Sequence, residues 1–281
     1  MTWMTDAAHL FGMFTRDSEK RSTHIYELLS TNNCLGETSL YLNAGYWDGA
    51  TRYDDACQRL AEVLGEAADL RPGCAVLDCG CGFGDAALFW IRRFDPATID
   101  CLNITPVQVE KARERIHAAG LSERVRVHLG SATRMPFADA SLDRVVALET
   151  AFHFDTREDF FREALRVLKP GGRLAMADIL PAEGRLKRWR DRTIGWYVPA
   201  ANLYPRSEFA RRLEAAGFDG VDVRSIVDKV LSPFTDFARG RLQSAEMRAR
   251  WNPLIRWAWA TSLRTDAKDE LDYVIAVASK P

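Results

Sequence analysis

The stretch from Val76 to Trp90, VLDCGCGFGDAALFW, constrains the fold of this chain more than any other. An apolar run ends in an aspartate, passes through glycine at 80, 82 and 84, and then becomes helical. Glycine at alternate positions lets a backbone turn tightly and approach a ligand closely. In open α/β sheets a loop of this kind lies at the carboxyl end of a strand, where ligands bind.

The rest of the chain agrees with such a sheet. CAVLDCG (74–80), TIDCLNIT (98–105), VRVHLGSA (125–132), DRVVALET (143–150) and RLAMADIL (173–180) read as strands. Between them, 85–94, 106–120 and 157–172 read as helices, the second with a proline in its first turn and a glycine at its end. This alternation implies right-handed crossovers and a parallel, doubly wound sheet. After Pro181 the rhythm breaks into an irregular stretch, 181–205. A helix (206–216), a strand (221–230), a helical segment (232–265) and a last strand (272–280) follow, and residues 1–66 read mainly as helices. No repeat or Gly/Ser linker divides the chain. The reading is a lid of N-terminal helices, 1–66, on one α/β domain, 67–281, with a lid insertion at 181–205.

Composition narrows the function classes. A net charge of −1 provides no field for nucleic acid, and no basic arm is present. No apolar run approaches the ~20 residues of a membrane helix. The first twenty residues lack a basic start followed by an apolar core, which reads against a secretory signal. Cys34, Cys57, Cys74, Cys79, Cys81 and Cys101 show neither C-x-x-C spacing nor a histidine pair nearby, so neither a zinc site nor a disulfide framework is expected. A reducing, cytoplasmic setting is.

The glycine loop is not the dinucleotide fingerprint G-x-G-x-x-G, because Asp85 stands where the third glycine belongs. Asp78, two residues before Gly80, would repel a pyrophosphate and attract a ligand with an amine or a sulfonium. An NAD-dependent oxidoreductase is thereby disfavoured.

The pattern V-L-D-x-G-C-G-x-G resembles the first motif of the class I S-adenosylmethionine (SAM) methyltransferases. PFADASLDRVVALE and REALRVLKPGGRLAMAD follow in the family's order, and the resemblance covers roughly residues 40–280. LNAGYWDGATRYDDA (42–56) and GWYVPAANLYPRSEFARRLEAAGF look like the natural-product group, which includes the rebeccamycin sugar, tocopherol and macrolide methyltransferases. The resemblance implies a Rossmann-like seven-stranded sheet with an antiparallel last strand, SAM as cofactor and a small-molecule acceptor.

Carried over by motif, Gly80, Cys81 and Gly82 would hold the methionine part, with Asp78 supporting its amino group or the loop. Asn103 replaces the acid that usually binds the ribose, and Gln108 would assist it. Ser131 and Ala132 would face the adenine beside Ile104, again with a serine where an aspartate is common. Tyr46 matches an aromatic that can approach the sulfonium, and Glu149 would form the pocket floor.

Proton removal from a hydroxyl acceptor suits a histidine. His153 matches the second histidine of the group's pair, Phe152 replaces the first, and Asp178 matches a nearby acid. A His153–Asp178 pair is the expected catalytic unit; the alternative is that His153 packs beside Phe152 and Phe154 and Asp178 caps the next segment. Tyr26, Phe152, Trp196, Tyr197 and Tyr204 are the candidate acceptor contacts, and no metal ligands are expected.

O-methylation of a fairly apolar acceptor is the principal expectation. C- or N-methylation, for example of a prenyl diphosphate or an amine, and a SAM-binding cyclase remain open. The basic stretch 185–192 could meet an anionic group or be a solvated helix face. Nothing in the sequence sets the oligomeric state, and a homodimer is compatible with it.

Overall fold

In the computed structural model the apolar runs become β1 (Ala75–Cys79), β2 (Thr98–Asn103), β3 (Val125–Leu129), β4 (Leu142–Leu148), β5 (Leu168–Pro181), β6 (Asp219–Ser225) and β7 (Leu271–Ser279). The structure describes residues 12, 15, 17–32, 35–185, 198–250, 253–262 and 267–281. One sheet results, in the order β3-β2-β1-β4-β5-β7-β6. β1 to β5 are parallel, and β7 enters antiparallel between β5 and β6. The doubly wound sheet with its reversed last strand is thus the fold of this chain.

The helices are α1 (Ser18–Asn32), α2 (Tyr53–Ala67), α3 (Asp85–Arg93), α4 (Pro106–Ala118), α5 (Arg157–Val167), α6 (Arg206–Ala215), α7 (Val227–Leu242), α8 (Ala245–Arg250) and α9 (Pro253–Ser262). Central strands covered on both faces carry near-continuous apolar runs, and Val76, Leu77, Val145, Val146 and Ala147 are all fully buried. α2 buries Tyr53, Ala56, Cys57, Leu60, Ala61 and Leu64, a spacing of three and four that puts one stripe on the core. Burying a leucine such as Leu60 or Leu64 contributes about 1.5–3 kcal/mol. Trp90 of α3 is fully buried and donates its indole N–H to the Ala61 carbonyl at 2.7 Å, locking α3 to α2. Of the stretch 1–66, then, α1 lies at the site described below, whereas α2 belongs to the core.

Three element boundaries differ from expectation. α5 stops at Val167, and Leu168 to Gly172 already belong to β5. Pro170 disfavours helix for the residue before it. The strand expected over 221–230 ends at Ser225, and α7 begins at Val227 once the Ile226 N–H is taken by the Tyr273 carbonyl. The helical segment 232–265 is broken into α7, α8 and α9, the last starting at Pro253. Among the described residues no helix is long and apolar enough to cross a membrane.

Candidate active site

Loops at the carboxyl ends of β1, β2, β3 and β4 enclose a cavity of about 1000 Å³, counted to its open mouth. Two segments outside the sheet close its sides, Leu40 to Asn43 and the face of α1 that carries Glu19, Ser22 and Tyr26.

The glycine loop forms one wall. Gly80 has φ +77 and donates its N–H to the Leu102 carbonyl at 2.7 Å. A Cβ there would lie 2.5 Å from Thr150 Oγ1, so only glycine permits the close crossing of this loop and the β4 turn. Gly82 also has a left-handed φ, +55, but a Cβ there would meet nothing within 4 Å, so the space beside it is open to a ligand. Asp85 is not a ligand group. Arg115 of α4 grips it at 2.5 and 2.8 Å, and it accepts the Leu40 N–H at 3.1 Å.

Asp78 behaves differently. It lines the cavity, is 1% exposed, and neither carboxyl oxygen has a hydrogen-bond partner. Burial alone pushes its pKa up to about 7. A buried acceptor left unpaired costs roughly 1–3 kcal/mol, more when charged. A ligand presenting an ammonium or sulfonium relieves that cost, whereas a pyrophosphate increases it. SAM, with its amino acid end, fits this donor-hungry carboxylate and the open space beside Gly82.

On the β2 side, Asn103 donates to Gln108 Oε1 at 2.8 Å and to the Gly82 carbonyl at 3.3 Å, and accepts the Thr105 N–H at 3.3 Å. Asn103, Ile104 and Gln108 all line the cavity, as do Cys81, Ser131 and Ala132. The Ser131 hydroxyl is already engaged, donating to Glu19 Oε1 of α1 at 2.5 Å. Glu149 lines the cavity with φ +55 and takes two bonds on Oε2, from the Ala44 N–H (2.8 Å) and the Tyr273 hydroxyl (2.6 Å). Burial pushes its carboxyl up to about 7 as well.

The β4 side carries His153, at the end of a single 3₁₀ turn, Ala151–His153, and it lines the cavity. The Tyr26 ring meets the imidazole edge-on at 5.3 Å, and Phe152 packs beside it at 3.9 Å. Asp178 is elsewhere. It is fully buried, absent from the cavity wall, and pairs with Arg157 Nε at 2.8 Å. It also accepts the backbone N–H groups of Phe152 and Ile179 at 3.1 and 3.0 Å. The expected His153–Asp178 pair is therefore replaced by a clamp. Asp178 holds the turn from one side, and Asn202 donates to the Phe152 and Phe154 carbonyls from the other (3.1 and 2.7 Å). Arg157 ties the two together, donating to the Asn202 carbonyl at 2.5 Å.

Three other expected contacts lie off the cavity. After Gly45 (φ +74) the chain packs against α2, where a Cβ would sit 2.7 Å from Ala56 Cβ; this turns Tyr46 away, and Tyr41 lines the wall instead. Phe152 is buried beneath His153. Tyr204 is buried against the Arg212 and Arg157 guanidiniums, at 4.1 and 5.2 Å from its ring centre. Trp196 and Tyr197 lie outside the described residues, as does most of 185–192.

Sequence reasoning missed Glu19, Ser22, Arg157 and Asn202. The three-and-four spacing of 19, 22 and 26 was a legible sign of one helix face; nothing local marks the other two.

Comparison with known proteins agrees with the geometry. The pattern of a family described as "Methyltransferase domain" matches residues 77–176. The chain is 37% identical over 276 residues to an erythromycin 3''-O-methyltransferase of Saccharopolyspora erythraea, covering 93% of this chain and 90% of that one. It is 36% identical over 183 residues to a 27-O-demethylrifamycin SV methyltransferase of Amycolatopsis mediterranei, covering 63% and 66%. Among solved structures it superposes on the [4+2]-cyclase SpnF with a TM-score of 0.76 at 25% identity, covering 94% and 96%.

Proposed function

Because the chain belongs to the SAM-dependent methyltransferases of the methyltransferase-domain family, we propose that it methylates a hydroxyl of a small, fairly apolar natural-product acceptor with His153 as the base. Similarity to an O-methyltransferase along nearly its whole length carries this reading.

Asp78 would take the cofactor's ammonium, the glycine loop from Gly80 to Gly82 its amino acid end, and Asn103 with Gln108 its ribose. SAM supplies a methyl group already activated on a sulfonium. The protein's share is then alignment, exclusion of water and removal of one proton. His153, at the cavity wall, accepts the proton of the acceptor hydroxyl. Asp178 acts through the clamp that fixes the imidazole rather than by touching it. α1 serves as the lid, with Tyr26 over the imidazole. The five described cysteines are free and buried, which supports a reducing, cytoplasmic setting.

Replacing His153 by alanine is expected to lower kcat roughly 10²–10⁴-fold. SAM affinity, measured by titration calorimetry, should change little. An unchanged kcat at saturating acceptor would remove His153 from the reaction. Transfer of labelled methyl from SAM to extracts of the producing cells identifies the acceptor atom. An acceptor that rearranges without gaining label would instead establish the cyclase reading, which the superposition on SpnF favours.

A further inference from the structure

Glu19, Ser22 and Tyr26 all line the cavity from α1, and their spacing places them on one helical face. At ~1.5 Å per residue that face runs ~10 Å across the opening. Its far end meets His153 through Tyr26. Its near end meets the loop after β3. There Glu19 Oε1 accepts from Ser131 Oγ at 2.5 Å and Thr133 Oγ1 at 3.3 Å, and Arg134 approaches Oε2 at 3.4 Å.

That near end is where a ligand anchored at Asp78 extends on the side away from His153. β3 is two strands from β1, ~10 Å, whereas β4, which carries His153, is on the other side. Leu102, Ile104 and Ala132 give the cavity lining apolar groups suited to a flat base. Adenine offers an amino donor at its edge. Ser131 brings only a hydroxyl, and that hydroxyl is already donated to Glu19. A carboxylate has about four acceptor sites, so Glu19 can take a ligand N–H beside those it already holds.

We infer that Glu19 recognises the amino edge of the cofactor's adenine, so that the carboxylate lacking in the β3 loop arrives from the helix laid over the cavity. This deepens the SAM reading and rests on it. A consequence is that the cofactor itself fastens α1, and with it Tyr26 over His153.

The test uses binding rather than turnover. Titration calorimetry compares S-adenosylhomocysteine with S-inosylhomocysteine, in which the amino group is an oxo group. The wild-type protein should prefer the adenosyl compound roughly ten- to a hundredfold, the range of a charge-assisted hydrogen bond. Glu19→Ala should lose most of that preference, and Glu19→Gln, which keeps the shape, should lose part of it. Adding Ser131→Asp to Glu19→Ala should restore it, because the carboxylate returns from the loop. Adenosyl affinity within about twofold of wild type in Glu19→Ala, or an undiminished preference, overturns the inference and leaves Glu19 a helix-to-loop tie. A wild-type protein that binds neither compound overturns the cofactor reading instead.

Discussion

Asp78 is the penultimate residue of β1 and Asp178 lies in β5, both on the central sheet and both buried. Asp178 has an arginine and two backbone amides for partners. Asp78 has none. Burial raises the Asp178 carboxyl above the ordinary aspartate value, and Arg157 with the two amides pulls it back. At Asp78 nothing opposes burial, and its pKa reaches about 7. One carboxylate is completed by the protein and acts as scaffold. The other is left without a partner by the protein, and in the proposed function a ligand completes it. Burial and strand position look alike at the two sites; satisfaction separates them.

Three perturbations probe that contrast, the largest first. Asp178→Ala leaves the fully buried Arg157 without its counter-charge, and breaking such a pair costs about 3–5 kcal/mol. Urea denaturation should show that loss, and little change would mean that Asn202 and the aromatic faces suffice for Arg157. Asp78→Asn should do the opposite. Affinity for S-adenosylhomocysteine should fall roughly ten- to a hundredfold, while the ligand-free protein is as stable or more so. A variant that melts early but binds normally would reverse the roles assigned to the two aspartates.

The third test is a pH dependence. An acid whose folded pKa is about 7, against ~3.9 unfolded, binds more protons folded than unfolded between those values. Its contribution is therefore favourable at low pH and is lost as pH rises toward 7. Glu149, also raised to about 7, adds to the same slope. Ligand-free stability should decline by ~2 kcal/mol per group from pH 5 to pH 7, and Asp78→Asn should flatten the curve. Ligand affinity should run the other way, weakening about fivefold from pH 7 to pH 6 as Asp78, with its pKa of about 7, gains its proton. A flat binding curve over that range would disconnect Asp78 from the cofactor's ammonium.

Much of this was legible beforehand. The strand–helix rhythm predicted the sheet because periodicity is local and the crossover rule is general. The glycine loop and Asp78 were legible for the same reason: a turn, a backbone approach and a charge are adjacent in sequence. The catalytic side was legible only in part. His153 lines the cavity, but its expected partner is committed to Arg157, 21 residues earlier in the chain. Tyr204 has the composition of an acceptor contact and the position of an arginine platform.

By itself the sequence determined the fold class, the class of cofactor and the strand ends that border the cavity, because each rests on short-range pattern. Tertiary structure alone decided which buried carboxylate is left without a partner, which helix face closes the cavity and which side chains hold His153. Those depend on contacts between residues as far apart as Glu19 and Ser131. A polar group's partner is set by what packing brings within about 3 Å, and no local pattern encodes that distance.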